Sequence, residues 1–348
     1  MSRKNLLTSL SRIINMTDII YPKTAWLTTN KSCNNRCSWC YASQSNFSDD
    51  FMDIEKLYKL VDILCKNNIK NIVFIGGEPS IYKHLLQAIK YIADKQVRMS
   101  MATNGIRFSD KSFAQQIVDS GLHNFNISLK GSTPEEYYQN TRSLGFKKSI
   151  QGYQNLKSLG ANVKLSYVLG DQTETEILKL KDFLIKYSLD NIVFQLYKPS
   201  ASDGKDVPDM KIIAQTCKTA FEIFKQTDLH YAFEISIPLC LFDKAFLQEL
   251  IERKIIQTCC HIRKGAGIIF DSNFDILPCN HFVQSPLNRE PVPFDNIIDF
   301  WNSSICMQFR DTINTYPSKK CINCNLWENC GGGCILRWFH LNPEDFIK

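Results

Sequence analysis

From Ala25 to Tyr197 the chain alternates strand-like and helix-like segments, and this pattern narrows its fold more than any other feature. The strand-like runs are 25–29, 71–75, 97–102, 124–129, 163–168 and 192–197. Asn71-Ile72-Val73-Phe74-Ile75 is a continuous apolar run, as expected of a strand covered on both faces. Between the first two runs, Asp53 can cap a helix whose Ile54, Leu57, Leu60, Val61 and Leu64 share one face. Segments 81–93, 111–120 and 175–187 also read as helices. Thr133-Pro134-Glu135-Glu136 supplies a cap, a proline at the first helical position and a capping-box glutamate. Six βα-like units in succession predict an α/β fold, a parallel sheet with helices outside. In barrels of this kind the active site gathers at the carboxyl ends of the strands.

The first strand-like run leads into Cys33-Asn34-Asn35-Arg36-Cys37-Ser38-Trp39-Cys40, with cysteines spaced C-x3-C-x2-C. Three thiolates on one loop can grip three irons of a cubane [4Fe–4S] cluster and leave the fourth iron without a protein ligand. Such an open position lets a metal site bind a small molecule and do chemistry. Structural zinc wants a fourth ligand and disulfides an even count, so this triplet suits neither well.

Other strand ends carry unusual residues. Gly76-Gly77-Glu78-Pro79 closes the second, where glycines permit close approach of a ligand to the backbone and Glu78 can accept from an ammonium. Thr103-Asn104-Gly105 closes the third, and Ser128-Leu129-Lys130-Gly131 the fourth, with Arg142 further on. Together with Trp39 just before the third cysteine, these elements resemble the radical S-adenosylmethionine (SAM) enzymes. The resemblance implies an open, partial (β/α)6 TIM-like barrel over residues 25–205. It further implies that Cys33, Cys37 and Cys40 hold a [4Fe–4S] cluster whose open iron chelates SAM. One electron, from a donor such as flavodoxin or ferredoxin, then splits SAM to a 5′-deoxyadenosyl radical that abstracts a hydrogen from substrate. By the same resemblance Trp39, Gly76, Gly77, Glu78, Pro79, Asn104, Ser128 and Arg142 contact SAM. Relatives often have aspartate at the position of Lys130, which weakens the carry-over to Ser128 and Arg142.

The chain has fourteen cysteines and no apolar segment of signal-peptide or membrane-span length. Residues 1–24 are expected to form an amphipathic helical segment leading into the first strand. A reducing, cytoplasmic setting argues for metal binding rather than disulfides. The net charge of +6 is spread along the chain, leaving no basic stripe of the kind nucleic acid selects. Cys65, Cys217, Cys240 and Cys306 lie among apolar neighbours and read as small core residues.

The alternation stops at Pro208, and residues 206–255 read as a helical linker. In 256–348, Cys259-Cys260 precede a predicted hairpin around Ser272-Asn273 that ends near Cys279. Cys321, Cys324, Cys330 and Cys334 follow at C-x2-C-x5-C-x3-C. Zinc would suit these pairs in isolation. Joined to the first region, they resemble a SPASM domain, which implies one or two auxiliary [4Fe–4S] clusters. The outer would be held by Cys321, Cys324 and Cys330, the inner by Cys260 or Cys259 with Cys279 and Cys334. The family usually supplies one more cysteine beyond the position of Cys334; His340, Asp345 or Cys306 are the candidate replacements. Phe274 stands where relatives prefer glycine.

SPASM relatives modify ribosomally made peptides, so the expected substrate is a precursor peptide, crosslinked (C–C or thioether) or epimerised. Leader recognition would come from a separate protein or from strand addition to a sheet edge. Formylglycine formation of the sulfatase-maturing type, or small-molecule dehydrogenation, is the alternative. That type places an aspartate base where this chain has Asn280, and an amide cannot accept a proton at neutral pH. His281 is the candidate substitute. A bare electron carrier would have no use for the SAM-site elements.

Overall fold

The computed structural model describes residues 19–45, 47–199, 208–258 and 260–347. The expected amino-terminal helix and Cys259 therefore lie outside the described residues. The six expected strands are β1 (Thr24–Thr28), β2 (Asn71–Ile75), β3 (Arg98–Thr103), β4 (Asn124–Ser128), β5 (Asn162–Leu169) and β6 (Asn191–Leu196). All pair in parallel with their sequence neighbours. Between them lie α1 (Ile54–Lys66), α2 (Leu85–Ala93), α3 (Lys111–Asp119), α4 (Pro134–Thr141), α5 (Phe146–Ser158) and α6 (Glu174–Lys186).

The local signals act as their chemistry requires. The Asp53 carboxylate accepts from Lys56 N–H at the start of α1, and the Thr133 hydroxyl from Glu136 N–H ahead of Pro134. Leu57, Leu60, Val61 and Leu64 of α1 bury against the sheet. The sheet and its helices share one continuous core that includes Leu27, Phe74, Met101, Ile127, Leu165 and Phe194.

The alternation does not stop at Pro208. Helix α7 (Met210–Phe224) leads to β7 (His230–Glu234), which pairs in parallel with β6, and α8 (Lys244–Glu252) leads to β8 (Ile256–Gln257) beside β7. The expected hairpin is present as β9 (Gly267–Phe270) and β10 (Ile276–Leu277). It docks on the other edge, β9 running parallel to β1 from Thr24↔Gly267 to Leu27↔Phe270. The result is one open ten-stranded sheet, ordered β10-β9-β1-β2-β3-β4-β5-β6-β7-β8, consistent with a partial barrel. The turn of the β9–β10 hairpin places Phe274 at φ 71, the left-handed conformation that favours glycine. Phe274 N–H donates to Asp271 O at 3.0 Å and its ring meets Phe294. No helix among the described residues is long and apolar enough to cross a membrane.

Candidate active site

The loop bearing Cys33, Cys37 and Cys40 is held from three sides. The end of β2 zips onto its base, Gly77 N–H donating to Asn30 O at 2.8 Å and Glu78 N–H to Ser32 O at 2.9 Å. A Cβ on Gly76 would lie 2.5 Å from Asn30 O, and one on Gly77 2.2 Å from Ser32 O. The double glycine thus lets backbone approach the cysteine loop itself. The end of β3 reaches the same loop through Asn104 Nδ2, which donates to Asn34 Oδ1 at 2.6 Å. From α4, Thr141 O accepts Arg36 N–H at 2.7 Å and Asn140 O accepts Ser38 N–H at 3.1 Å.

Glu78 is the knot of this arrangement. It is 1% exposed, and its carboxylate accepts from Ser80 N–H at 3.0 Å, Thr103 Oγ1 at 2.5 Å and Asn104 N–H at 2.7 Å. Burial raises its pKa while these three donors oppose the rise. The carboxylate therefore locks β2 to β3, with less capacity left for a ligand ammonium than its position alone suggested.

The three thiols act on one another electrostatically and all titrate high, chiefly because burial disfavours the thiolate; Cys33 is pushed up to about 12. Coordination to a cation is what would deprotonate such thiols. Asn35 N–H already donates to Cys33 Sγ at 3.4 Å. Among the described residues no three His, Cys, Asp or Glu side chains could hold a single metal ion. A multi-iron cluster, being larger, needs its thiolates further apart. Asn35 Oδ1, Trp39 Nε1 and, on β4, Asn126 Oδ1 are buried without a hydrogen-bond partner. Orphaned polar atoms around a thiol triplet are what a polar ligand would satisfy.

Residues 27–184 match the family profile described as the Radical SAM superfamily. They are a radical SAM domain. The cofactors of this domain are SAM and a [4Fe–4S] cluster, and the thiol chemistry and orphaned atoms above fit them. Once bound, they would supply the one-electron chemistry of the site.

Curated relatives include GTP 3′,8-cyclases. The probable enzyme of Thermococcus kodakarensis is 28% identical over 46% of this chain and 52% of its own length. That of Rhizobium leguminosarum bv. trifolii is 25% identical over 57% and 59%. The chain thus spans roughly half to three fifths of these relatives. Among solved structures, Streptococcus suis SuiB bound to precursor peptide SuiA is similar over 93% of this chain and 76% of its own, at TM-score 0.69 and 18% identity. The anSMEcpe structure with bound AdoMet covers 90% of each chain at TM-score 0.69 and 16% identity. At such identities the likeness is one of fold.

Two further residues nominated from the sequence, Ser128 and Arg142, lie on β4 and at the end of α4. Ser128 ends β4, partly buried. Arg142 is exposed, in a left-handed conformation at the carboxyl end of α4. Lys130 is the residue whose importance the sequence understated: its ammonium favours the thiolates of Cys37 and Cys40 and lies 5.6 Å from the Trp39 ring centroid. Its place at a strand end was the available clue.

The distal cysteines fall into two groups. Cys279 feels Cys334, Cys260 and Lys198, and burial pushes its thiol up to about 12. Tyr41 links this group to the first triplet: its hydroxyl bonds the Asn280 side chain, and its ring stands 5.0 Å from that of His281. The second group is Cys321, Cys324 and Cys330, joined by Cys240, whose thiol is exposed rather than in the core. Cys217 and Cys306 are buried, as expected of core residues. His281 is half-buried with its Nδ1 enclosed and unpartnered, and desolvation lowers its pKa to about 4, with Lys198 acting in the same direction. It is a weak base at neutral pH. Lys198, after β6, and Glu234, at the end of β7, form an ion pair, with Gln195 Nε2 donating to Glu234 at 2.8 Å.

Proposed function

We propose that this chain is a peptide-modifying radical SAM enzyme with one or two auxiliary [4Fe–4S] clusters in its distal cysteine groups. The observation that carries it is the separation of the distal thiols into two sets, Cys260/Cys279/Cys334 and Cys321/Cys324/Cys330, the first bridged to the SAM-site cysteines through Tyr41. Hydrogen abstraction removes one electron and one proton from the peptide. Closing a crosslink releases a second electron, which a neighbouring cluster can accept. Trp39, the Gly76–Pro79 turn, Asn104, Ser128 and Arg142 are proposed to position SAM. Likeness to SuiB with its precursor peptide SuiA over most of the chain supports a peptide substrate.

Formylglycine formation lacks its base: Asn280 stands at that position with its amide bonded to Tyr41. The curated cyclases raise a second reading, a nucleotide substrate. It is less favoured because those relatives match only about half of this chain, whereas the fold likeness to SuiB covers 93%.

The test is anaerobic reconstitution with iron and sulfide, reduction, and incubation with SAM and either a short peptide encoded beside this gene or GTP. Peptide-dependent 5′-deoxyadenosine release, with loss of two hydrogens from the peptide or deuterium uptake from D2O, is expected. Consumption of GTP with the peptide untouched would overturn the proposal.

A further inference from the structure

The outer thiol group has four members. Segment 330–337 is laced onto segment 236–239: Cys334 N–H donates to Ser236 O at 2.8 Å, and Arg337 Nε to the same oxygen at 3.3 Å. Leu239 N–H donates directly to Cys330 Sγ at 3.3 Å. Gly333, at φ +77, permits the approach, since a Cβ there would sit 3.0 Å from Ser236 O. Cys240 follows Leu239 in the 3-10 turn Leu239–Leu241, so this lacing sets it next to the residue bonded to Cys330 Sγ. Within that segment Cys324 N–H donates to Cys321 O at 3.0 Å, Leu326 N–H to Cys324 Sγ at 3.5 Å and Cys330 N–H to Leu326 O at 2.8 Å, tying the three cysteines into one compact turn.

Building on the auxiliary-cluster reading, we propose that Cys240 supplies the fourth thiolate of the outer cluster, with Cys321, Cys324 and Cys330. It replaces a ligand that the resemblance places beyond Cys334. The electrostatics agree: Cys240 feels the charges of Cys330 and Cys324, and Cys321 those of Cys330, Cys240 and Cys324. Four thiolates complete a closed cubane site with no open iron. The upstream alternative is disposed elsewhere, Cys306 being buried against Ser303 and Arg310. The outer cluster would then pin the turn between β7 and α8 to the carboxyl-terminal segment.

The test is native thiol footprinting with iodoacetamide on the full chain, iron-loaded and after stripping by a chelator, read by peptide mass spectrometry. All four thiols are expected to react in the stripped protein and to be slowed about tenfold or more when loaded, because a coordinated thiolate is not free to attack. Cys240→Ser, at an exposed position, should retain the apo-protein melting temperature. It should lose at least one iron per chain and give a three-iron EPR signal on oxidation. If Cys240 reacts equally in both states while Cys321, Cys324 and Cys330 are protected, the proposal fails and the auxiliary-cluster reading stands. If all four react in the loaded protein, both fail.

Discussion

Glu78 accepts the backbone N–H of Asn104 at 2.7 Å, and through this bond the ends of β2 and β3 are fixed beneath the cysteine loop. Removing the carboxylate leaves that N–H, the Thr103 hydroxyl and Ser80 N–H without their buried acceptor. Each such loss costs about 1–3 kcal/mol. Glu78→Ala is expected to lower the melting temperature of the metal-free protein and weaken SAM binding to the loaded protein by about tenfold or more. Glu78→Gln keeps an acceptor at one end and should lose less. Differential scanning fluorimetry and equilibrium dialysis with SAM would check both.

Gly77→Ala should damage the same loop from the backbone side. The new Cβ would lie 2.2 Å from Ser32 O and 2.3 Å from Lys31 O, so the loop must move. Gly170→Ala is the control, because its nearest neighbours stand 3.9 Å away. Iron analysis after reconstitution is expected to show loss of about four irons for Gly77→Ala, by cluster stoichiometry, and no loss for Gly170→Ala.

Much of this geometry was legible because its causes are local. The apolar run of β2, the cap at Asp53 and the Thr133-Pro134 start each act through neighbours within a few residues. The elements that escaped are held by distant partners. Strand β7, His230–Glu234, has little apolar alternation and exists because β6 offers it a parallel edge. Helix α5 carries Gly152 in its interior, a residue that weakens helices, yet a Cβ there would lie 2.1 Å from Gly105 O. Close packing, invisible in the spacing, selects that glycine. The site divides the same way. The triplet and the Gly76–Pro79 turn are contiguous in sequence, whereas Cys240 reaches Cys330 only through lacing between segments about ninety residues apart.

Lys130 should tune the proposed electron transfer. Its ammonium stabilises negative charge at Cys37 and Cys40. A reduced cluster carries one more negative charge than an oxidised one, and nearby net charge helps set its potential. Lys130→Gln is therefore expected to make the SAM-site cluster harder to reduce, lowering its midpoint potential, while iron content stays unchanged. A redox titration followed by EPR measures the shift; an unchanged or raised potential would refute the assignment.

The pair Lys198–Glu234 gives the site a pH window. Lys198 holds Glu234 below the ordinary glutamate range, against the opposing effect of burial. Burial presses Lys198 down, but Glu234 and the Cys334 thiolate bring it above its ordinary value. A lowered carboxylate stabilises the fold above its unfolded pKa of about 4.3, and that stability is lost as pH falls through the folded value. A raised lysine stabilises below about pH 10.4 and loses its share as pH rises through the folded value. The side chains retain 27% and 32% exposure, so the pair lies between surface and buried extremes. Glu234→Gln should therefore cost about 1–3 kcal/mol near neutrality. Urea titrations of wild type and Glu234→Gln should differ most between about pH 5 and 9, and the difference should shrink as pH falls below about 4.3 and vanish only once it has passed the lowered folded value of Glu234. A difference that persists unchanged into acid would mean that Glu234 acts through shape alone.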